Sequence, residues 1–183
     1  MALSPPVPRE ALHRRTIEMV GYRREDGLLD IEARLVDTKT YSFDNHDRGE
    51  IHPGTPLHGM LARMTVDENM VIVQFEAVTE FAPYSVCPQA APNFGRLAGL
   101  RIGPGFVRAA NERIGGVQGC THFREMLGQM GTVAYQTAYS KREAAVAVPG
   151  TVPRRPAVLN TCLAYASDGP VVKRQYPGFY TGG

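Results

Sequence analysis

The sequence predicts an α+β fold, in which an antiparallel β-meander is followed by two helices and a C-terminal hairpin packs back on the body. Hydropathy alternates with a period of two up to about residue 81, and the period becomes 3.6 after residue 104. Strands that precede helices, rather than alternate with them, are typical of the α+β class. The 183 residues fit one domain. We predict a flexible N-terminus at 1–11, a single domain at 12–177 and a tail at 178–183.

Four alternating segments make up the predicted meander. Glu25-Asp26-Gly27 precedes the second strand and Asp67-Glu68-Asn69 precedes the fourth, and both are turn sequences. In the second strand apolar residues occupy one face and charged residues the other. An open meander leaves strand edges unpaired, which favours a homodimer. The predicted strands are 15–22, 29–36, 57–66 and 70–81.

Two helices follow the meander in the prediction. The first begins after Pro104 and ends at Gly115-Gly116. The second covers 121–142 and carries one apolar face, within which Gly128 and Gly131 indicate close backbone packing against the sheet. Beyond residue 145 we predict a proline-containing linker and then short strands at 157–166 and 171–172, joined by the turn Ser167-Asp168-Gly169.

Composition and charge exclude several classes of protein. Apolar residues make up 43% and charged residues 21% of the chain, as in an ordinary soluble globule. No run approaches the ~18 apolar residues of a membrane span, and a net charge of +2 gives no reason to expect nucleic acid as a partner. Residues 1–88 hold 9 basic and 14 acidic side chains, whereas residues 89–183 hold 11 and 4. The basic half favours an anionic or phenolic small-molecule substrate.

The three cysteines indicate the compartment. An odd number in a chain of this length does not fit an extracellular disulfide framework. The N-terminal residues also lack the apolar stretch of a secretory signal. We therefore expect a cytoplasmic protein.

The segment Gly119-Cys120-Thr121-His122 carries the most chemistry. It places a thiol at the start of the long predicted helix, where the positive end of the helix dipole stabilises a thiolate. Cys120 and His122 also have the ligand types of a zinc or iron site. If the tail folds back, these two residues, Cys87 and Cys162 could converge as a Cys₃His set. Three interpretations stay open: a metal site, an activated thiol, and a structural role for buried cysteines and a core histidine.

A second group of candidates lies on the predicted strands. His58 shares its strand face with Met60, Ala62 and Met64, so its imidazole is expected in an apolar setting, where a histidine acts near neutral pH. The first hairpin adds Tyr22, Glu32 and Arg34. Together with His58 and His122 they could provide a base, an acid and an anion-stabilising group. The alternatives are a core histidine and a solvated charged face. No motif for a serine hydrolase, a dinucleotide or a P-loop is present, so no organic cofactor is expected.

Several segments in combination resemble a bacterial family known as domain of unknown function number 2889. They are Tyr22 to Ala33, Asp37-Thr38-Lys39, Leu57-His58-Gly59-Met60, Gly119 to Phe123 and the Cys162 tail. The resemblance runs from about residue 12 to 177 and implies a soluble bacterial protein without implying an activity. Two residues depart from the family pattern: Phe123 stands in place of leucine, and Leu163 in place of the histidine after Cys162.

The residues predict an enzyme of the lyase type, cleaving a C–C or C–O bond of a small anionic or phenolic molecule without an organic cofactor. The expected catalytic residues are His58, His122, Cys120, Tyr22, Glu32 and Arg34. The alternative is a zinc or iron carrier, or a metal-stabilised binding module, with Cys87, Cys120, His122 and Cys162 as ligands. A plain ligand-binding domain is the third hypothesis. We expect neither nucleic acid nor a membrane as partner.

Overall fold

The computed structural model describes residues 3–146 and 155–183, and the side chains of 3–139 and 155–183. The chain forms two compact units, Met1–Ala138 and Tyr139–Gly183. Most of the predicted linker lies outside the described residues. The division into a lead-in, one domain and a tail stays a prediction.

The first unit is built on a four-stranded antiparallel sheet. Its strands are β1 (His13–Arg23), β2 (Leu29–Lys39), β5 (Pro56–Val66) and β6 (Ile72–Phe81), in the order β1-β2-β5-β6. This is the predicted meander, so the α+β class is confirmed. A small hairpin of β3 (Phe43–Asn45) and β4 (Gly49–Ile51) is inserted before β5 and was not predicted. Three-residue strands in an Asp- and Gly-rich loop leave no alternation to detect.

One face of the sheet carries the hydrophobic core. The odd-numbered residues of β2 are buried from Leu29 to Leu35, while the residues between them remain at least partly exposed. Against this core face pack α1 (Phe106–Ile114) and the first five turns of α2 (Thr121–Val146) through apolar residues such as Phe123 and Met130. We call the opposite surface of the sheet the outer face. The predicted start of α2 is confirmed at Thr121.

Gly21 and Gly131 show where close packing is needed. A β-carbon at Gly21 of β1 would overlap the side-chain oxygen of Thr137 on α2, so the strand and the helix approach without an intervening side chain. A β-carbon at Gly131 would lie 3.2 Å from Ile102, which is in the loop before α1. At Gly128 the contact is an ordinary 3.8 Å from Val107. The prediction that Gly128 and Gly131 approach the sheet is therefore wrong. The close approach between the sheet and α2 occurs at Gly21 of β1.

A long 3-10 segment, Cys87–Leu97, was also not predicted. It buries Phe94 and Leu97 in the core beside Phe75 of β6. Two prolines within it, Pro88 and Pro92, remove backbone donors and prevent a regular α-helix. The backbone therefore turns irregularly while its apolar side chains still face inward.

The predicted C-terminal hairpin is wrong. The described part of the second unit contains 3-10 turns at Leu163–Tyr165 and Pro177–Phe179 and a short helix, α3 (Pro170–Gln175), but no strand. Pro170 occupies the first position of α3, where its fixed φ favours a helix, and Lys173 donates its amide hydrogen to Gly169. The β-branched pair Val171-Val172 was interpreted as strand, whereas the preceding proline decides the conformation. No helix in the described residues has the length and apolar character needed to cross a membrane.

Candidate functional site

A buried carboxylate, Asp37, lies at the centre of the site. It belongs to the core face of β2, two residues beyond Leu35, and its side chain is only 2% exposed. In the sheet register Asp37 faces Arg15 of β1 on one side and His58 of β5 on the other. Three polar side chains thus form a row across three adjacent strands, on the face that carries the hydrophobic core.

Arg15 holds the carboxylate in a two-pronged ion pair. Its Nε and Nη2 donate to Oδ1 and Oδ2 of Asp37, each at 2.7 Å, while its Nη1 pairs with Glu125 of α2. Burial acts to raise the pKa of Asp37, but the hydrogen bonds and charge of Arg15, together with nearby His58 and His13, outweigh it and lower the pKa to about 2. Asp37 is therefore ionised at any physiological pH.

His58 donates a hydrogen bond to the same carboxylate. Its Nδ1 lies 3.0 Å from Oδ2 of Asp37, and an ionised carboxylate only accepts, so the ring hydrogen is on Nδ1. Burial lowers the pKa of His58, and Asp37 offsets this only in part. The imidazole is 17% exposed. It is a neutral ring with its Nε2 lone pair available.

His122 approaches the carboxylate from the first turn of α2. Its Nε2 lies 3.6 Å from Oδ2 of Asp37, and its ring lies against that of His58 with the centroids 3.9 Å apart. Burial lowers the pKa of His122, and repulsion from His58, when that ring is protonated, and from the Arg15 guanidinium lowers it further. Two neutral imidazoles from different elements thus meet at one carboxylate oxygen.

Cys120 lies on the far side of His122. Its Sγ is 3.6 Å from Nδ1 of His122, and its backbone carbonyl accepts the first helical hydrogen bond of α2, from Arg124. A side chain at the preceding Gly119 would overlap the carbonyl of Ile114, so only glycine permits this sharp entry into the helix. The local sequence therefore places thiol and imidazole together, as its spacing predicted.

His13 completes the surroundings of the carboxylate. Its Nε2 lies 3.2 Å from Oδ1 of Asp37, and its side chain is 44% exposed. We define the Asp37 cluster as His13, Arg15, Asp37, His58, Cys120 and His122. It contains one carboxylate, one guanidinium cation, three imidazoles and one thiol.

The first unit brings together two of the four predicted ligands of the cysteine-rich metal site. Cys120 and His122 are adjacent, but within the described residues the ligand atoms that gather in a group of three belong to Asp37, His58 and His122. Cys87 is half-buried at the start of its 3-10 segment, outside that group. Cys162 is exposed and belongs to the second unit.

The predicted catalytic residues separate into two groups. His58, His122 and Cys120 lie together on the core side of the sheet, whereas Tyr22, Glu32 and Arg34 line a groove of about 440 Å³ on the outer face. Glu32 pairs there with Arg63 at 2.9 Å, and Arg34 with Glu80 at 3.4 Å. A single centre containing all six residues is excluded, because the sheet lies between the groups.

Sequence reasoning missed Asp37, Arg15 and His13 as members of the site. The available signal was the phase of the alternation: Asp37 continues the buried series Leu29 to Leu35, and Arg15 precedes Ile17 in the same phase. A charged residue in phase with a buried stripe is expected to have a partner. The first hairpin contains many charged residues, so the two that are in phase with the buried residues were not distinguished from the rest.

Comparison of the sequence with known protein families finds a match. The family described as "Protein of unknown function (DUF2889)" matches residues 13–136. The chain belongs to the DUF2889 family. The match covers the whole Asp37 cluster from His13 to His122 and ends before Cys162. Neither the curated proteins nor the solved structures include a significant match to this chain.

Proposed function

We propose that this DUF2889 protein is an enzyme that performs lyase-type acid–base chemistry on a small anionic or phenolic molecule at the Asp37 cluster. One observation carries the proposal: a carboxylate that is 2% exposed joins two imidazoles that are each about one-sixth exposed. A purely structural ion pair needs only Arg15 and Asp37. The two accessible rings on the same oxygen support a chemical role.

His58 is the proposed general base. Asp37 accepts the Nδ1 hydrogen and thereby orients the ring, which leaves Nε2 free to take a proton from a substrate. Arg15 keeps Asp37 ionised, so the carboxylate stabilises the imidazolium that forms. This arrangement of base and orienting carboxylate is common to many proton-transfer centres.

His122 and Cys120 are the proposed second proton-transfer pair. The thiol and Nδ1 lie 3.6 Å apart, so a hydrogen shared between them can be delivered to a leaving group or to a developing anion. Tyr22, Glu32 and Arg34 are not included in this mechanism, because they lie on the outer face.

The charge around the cluster supports an anionic substrate. Arg15 is permanently positive, His13 is exposed beside it, and the N-terminus of the 26-residue α2 begins at the adjacent Thr121. The amide groups of a helix N-terminus and its dipole favour anions. A carboxylate or phenolate is therefore the substrate group that this surface fits.

A deuterium-exchange assay tests the proton-transfer step without knowledge of the natural substrate. Metal-stripped protein is incubated in D₂O with a panel of small phenolic and carboxylate compounds that carry an acidic C–H, and exchange and cleavage are followed by NMR. We expect catalysed exchange or cleavage of at least one compound, with a loss of about 10²–10⁴-fold in His58→Ala.

His46→Ala is the matched control for that assay. His46 also pairs with a carboxylate, Asp47, at 3.0 Å, but its ring is 96% exposed. It should retain the wild-type rate. Equal rates in folded His58→Ala, His122→Ala and wild-type protein would refute the assignment of the centre.

The predicted metal carrier is the second candidate. The proximity of Cys120 and His122 favours it, because a thiolate and an imidazole are both zinc or iron ligands. About one equivalent of zinc or iron in freshly purified protein, lost in Cys87→Ser and Cys162→Ser, would support the four-ligand set over the enzyme.

The compartment and assembly remain part of the proposal. Cys87, Cys120 and Cys162 are all free thiols, which supports a reducing cytoplasm. β1 and β6 are the edges of the sheet, and either supports a homodimer by strand pairing. We place the activity in bacterial breakdown of aromatic compounds, in line with the phenolic substrate class.

A further inference from the structure

Three ligand atoms of the Asp37 cluster converge in a way that acid–base chemistry alone does not require. A carboxylate oxygen of Asp37, a ring nitrogen of His58 and a ring nitrogen of His122 all lie within 4.8 Å of one another. The separations from Oδ2 are 3.0 Å to Nδ1 of His58 and 3.6 Å to Nε2 of His122. The three side chains come from β2, β5 and α2, so the fold as a whole brings them together.

These separations fit a transition metal ion. Zinc binds imidazole nitrogen and carboxylate oxygen at about 2.0–2.2 Å, so two donors in a tetrahedral shell lie about 3.3 Å apart. The observed 3.0 and 3.6 Å lie on either side of that value. Two imidazoles and one carboxylate are a known donor set for zinc and for non-haem iron, and they leave a position open.

Cys120 is placed as an outer partner of such a site. Arg15 also donates two hydrogen bonds to the carboxylate, but its positive charge opposes a cation there. Cys120 lies 3.6 Å from Nδ1 of His122, where it accepts the hydrogen that remains when Nε2 binds a metal. Groups that orient the metal-binding side chains are a normal part of metal sites.

We propose that a divalent transition metal ion binds reversibly to Asp37 Oδ2, His58 Nδ1 and His122 Nε2, and that its binding inhibits the acid–base chemistry of the same centre. The inhibitory part rests on the proposed function. A metal on Nδ1 of His58 takes the place of the ring hydrogen, which moves to Nε2. With Nε2 protonated, His58 no longer accepts a proton from a substrate.

Arg15 explains why the ion is exchangeable. Its Nη2 lies 2.7 Å from the same Oδ2 that would bind the metal, so a permanent positive charge repels the incoming cation. The affinity is therefore lower than that of three comparable ligands without an adjacent guanidinium. The site suits an ion that comes and goes with its free concentration.

Titration of the metal-stripped full chain with Co²⁺ and Zn²⁺ tests the binding. We expect one equivalent of Co²⁺ to bind, with visible bands of a nitrogen–oxygen shell and without a sulfur-to-cobalt charge-transfer band. His58→Ala and His122→Ala should each weaken binding by about 100-fold, whereas His46→Ala, the exposed His–Asp pair, should not change it.

Arg15→Gln separates the proposed site from adventitious binding. Removal of the guanidinium charge should tighten Co²⁺ binding by about tenfold or more, because the repulsion is lost while all three ligands remain. Weaker binding in Arg15→Gln, binding that His58→Ala and His122→Ala leave intact, or a strong sulfur charge-transfer band would overturn the assignment of ligands.

The deuterium-exchange assay tests the inhibition. The rate should fall in proportion to Zn²⁺ occupancy and return when a chelator is added. A rate that rises with occupancy, or that does not respond to stoichiometric Zn²⁺, would overturn the inhibitory role. Metal binding without exchange in any state would instead refute the proposed function and leave the metal site standing, so the two failures are distinguishable.

Discussion

The two faces of the sheet carry similar side chains with opposite consequences. On the outer face Arg63 bridges Glu32 and Glu76 at 2.9 and 3.3 Å, and all three side chains are about half exposed. On the core face Arg15 binds Asp37 at 2.7 Å, and that carboxylate is 2% exposed. Both are arginine–carboxylate pairs across neighbouring strands. Burial, together with the two imidazoles that share the buried carboxylate, separates the solvated ion pair from the candidate site.

The difference in burial changes what each charge can do. Water and salt screen the outer pairs, which therefore contribute little to stability. The core pair is shielded, so its geometry is fixed, and it perturbs the histidines that share it. Perturbed groups in accessible positions indicate function better than charge density does.

The largest expected effect is that of Asp37→Asn on stability. The change leaves Arg15 beside a neutral amide in a buried setting. It also replaces one of the two accepting oxygens that Arg15 and His58 use with an NH₂ donor. Removing one partner of a buried ion pair destabilises a protein by about 3–5 kcal/mol, and the partial exposure of Arg15 places the expected loss at about 3 kcal/mol. Urea unfolding measures it. Glu76→Gln on the outer face is the control; equal losses in both variants would contradict the comparison.

An intermediate effect is expected from acid. Burial lowers the pKa values of His58 and His122 in the folded protein. As the pH falls, these side chains therefore bind protons more readily in the unfolded chain than in the folded protein. The free energy of unfolding decreases as the pH drops below about 6.5. Asp37 has its pKa lowered from 3.8 to about 2. Its contribution, about 2 kcal/mol, is complete above pH ~4 and is lost as the pH falls toward 2.

Urea midpoints measured from pH 2 to 8 resolve the two steps. Asp37→Asn should reduce the step below pH 4, because the asparagine does not titrate. A smaller step should remain, because the hydrogen bond from the Ser85 amide also lowers the pKa of Asp47 to about 2. The step near pH 6 should be reduced in His58→Ala. A wild-type curve without a slope between pH 4 and 2 would show that Arg15 does not stabilise the ionised carboxylate.

The smallest expected effect is that of Arg63→Gln. This arginine makes two ion pairs, but both are exposed, and exposed pairs contribute about 0–1 kcal/mol. We expect a change within about 0.5 kcal/mol in urea, reduced further in 0.5 M salt. A loss as large as that of Asp37→Asn would mean that the outer face is covered in solution.

The predictions that the structure confirms are those based on the local period of hydropathy. Alternation located all four long strands and their order, and the 3.6 period located α1 and the start of α2, because one buried face imposes a period on each element. The conformation of two proline-containing segments was not predicted correctly. The 3-10 segment Cys87–Leu97 and the helix α3 contain apolar residues. These residues do not recur with a period that indicates either a helix or a strand.

For the site, local spacing was informative and long-range pairing was not. Cys120 and His122 share one helix entry, so their proximity followed from two-residue spacing. His58 was identified from its apolar strand neighbours. Asp37 is charged on a strand that already has charged residues, and only the register with Arg15 and His58 distinguishes it from Glu32. Register is a property of the folded sheet.

That register has a consequence for folding. Asp37 is 22 residues from Arg15 and 21 from His58, and Arg15 pairs with Glu125 across 110 residues of chain. Such separations carry a high loop-closure entropy, so the cluster forms only when the meander and α2 have both docked. A partly folded chain therefore cannot bind a ligand at the cluster.

A ligand of the cluster binds only the folded protein, so at 100 times its dissociation constant it would add about 2.7 kcal/mol to the free energy of unfolding. A thermal-shift assay can therefore be used to screen for compounds that this protein binds.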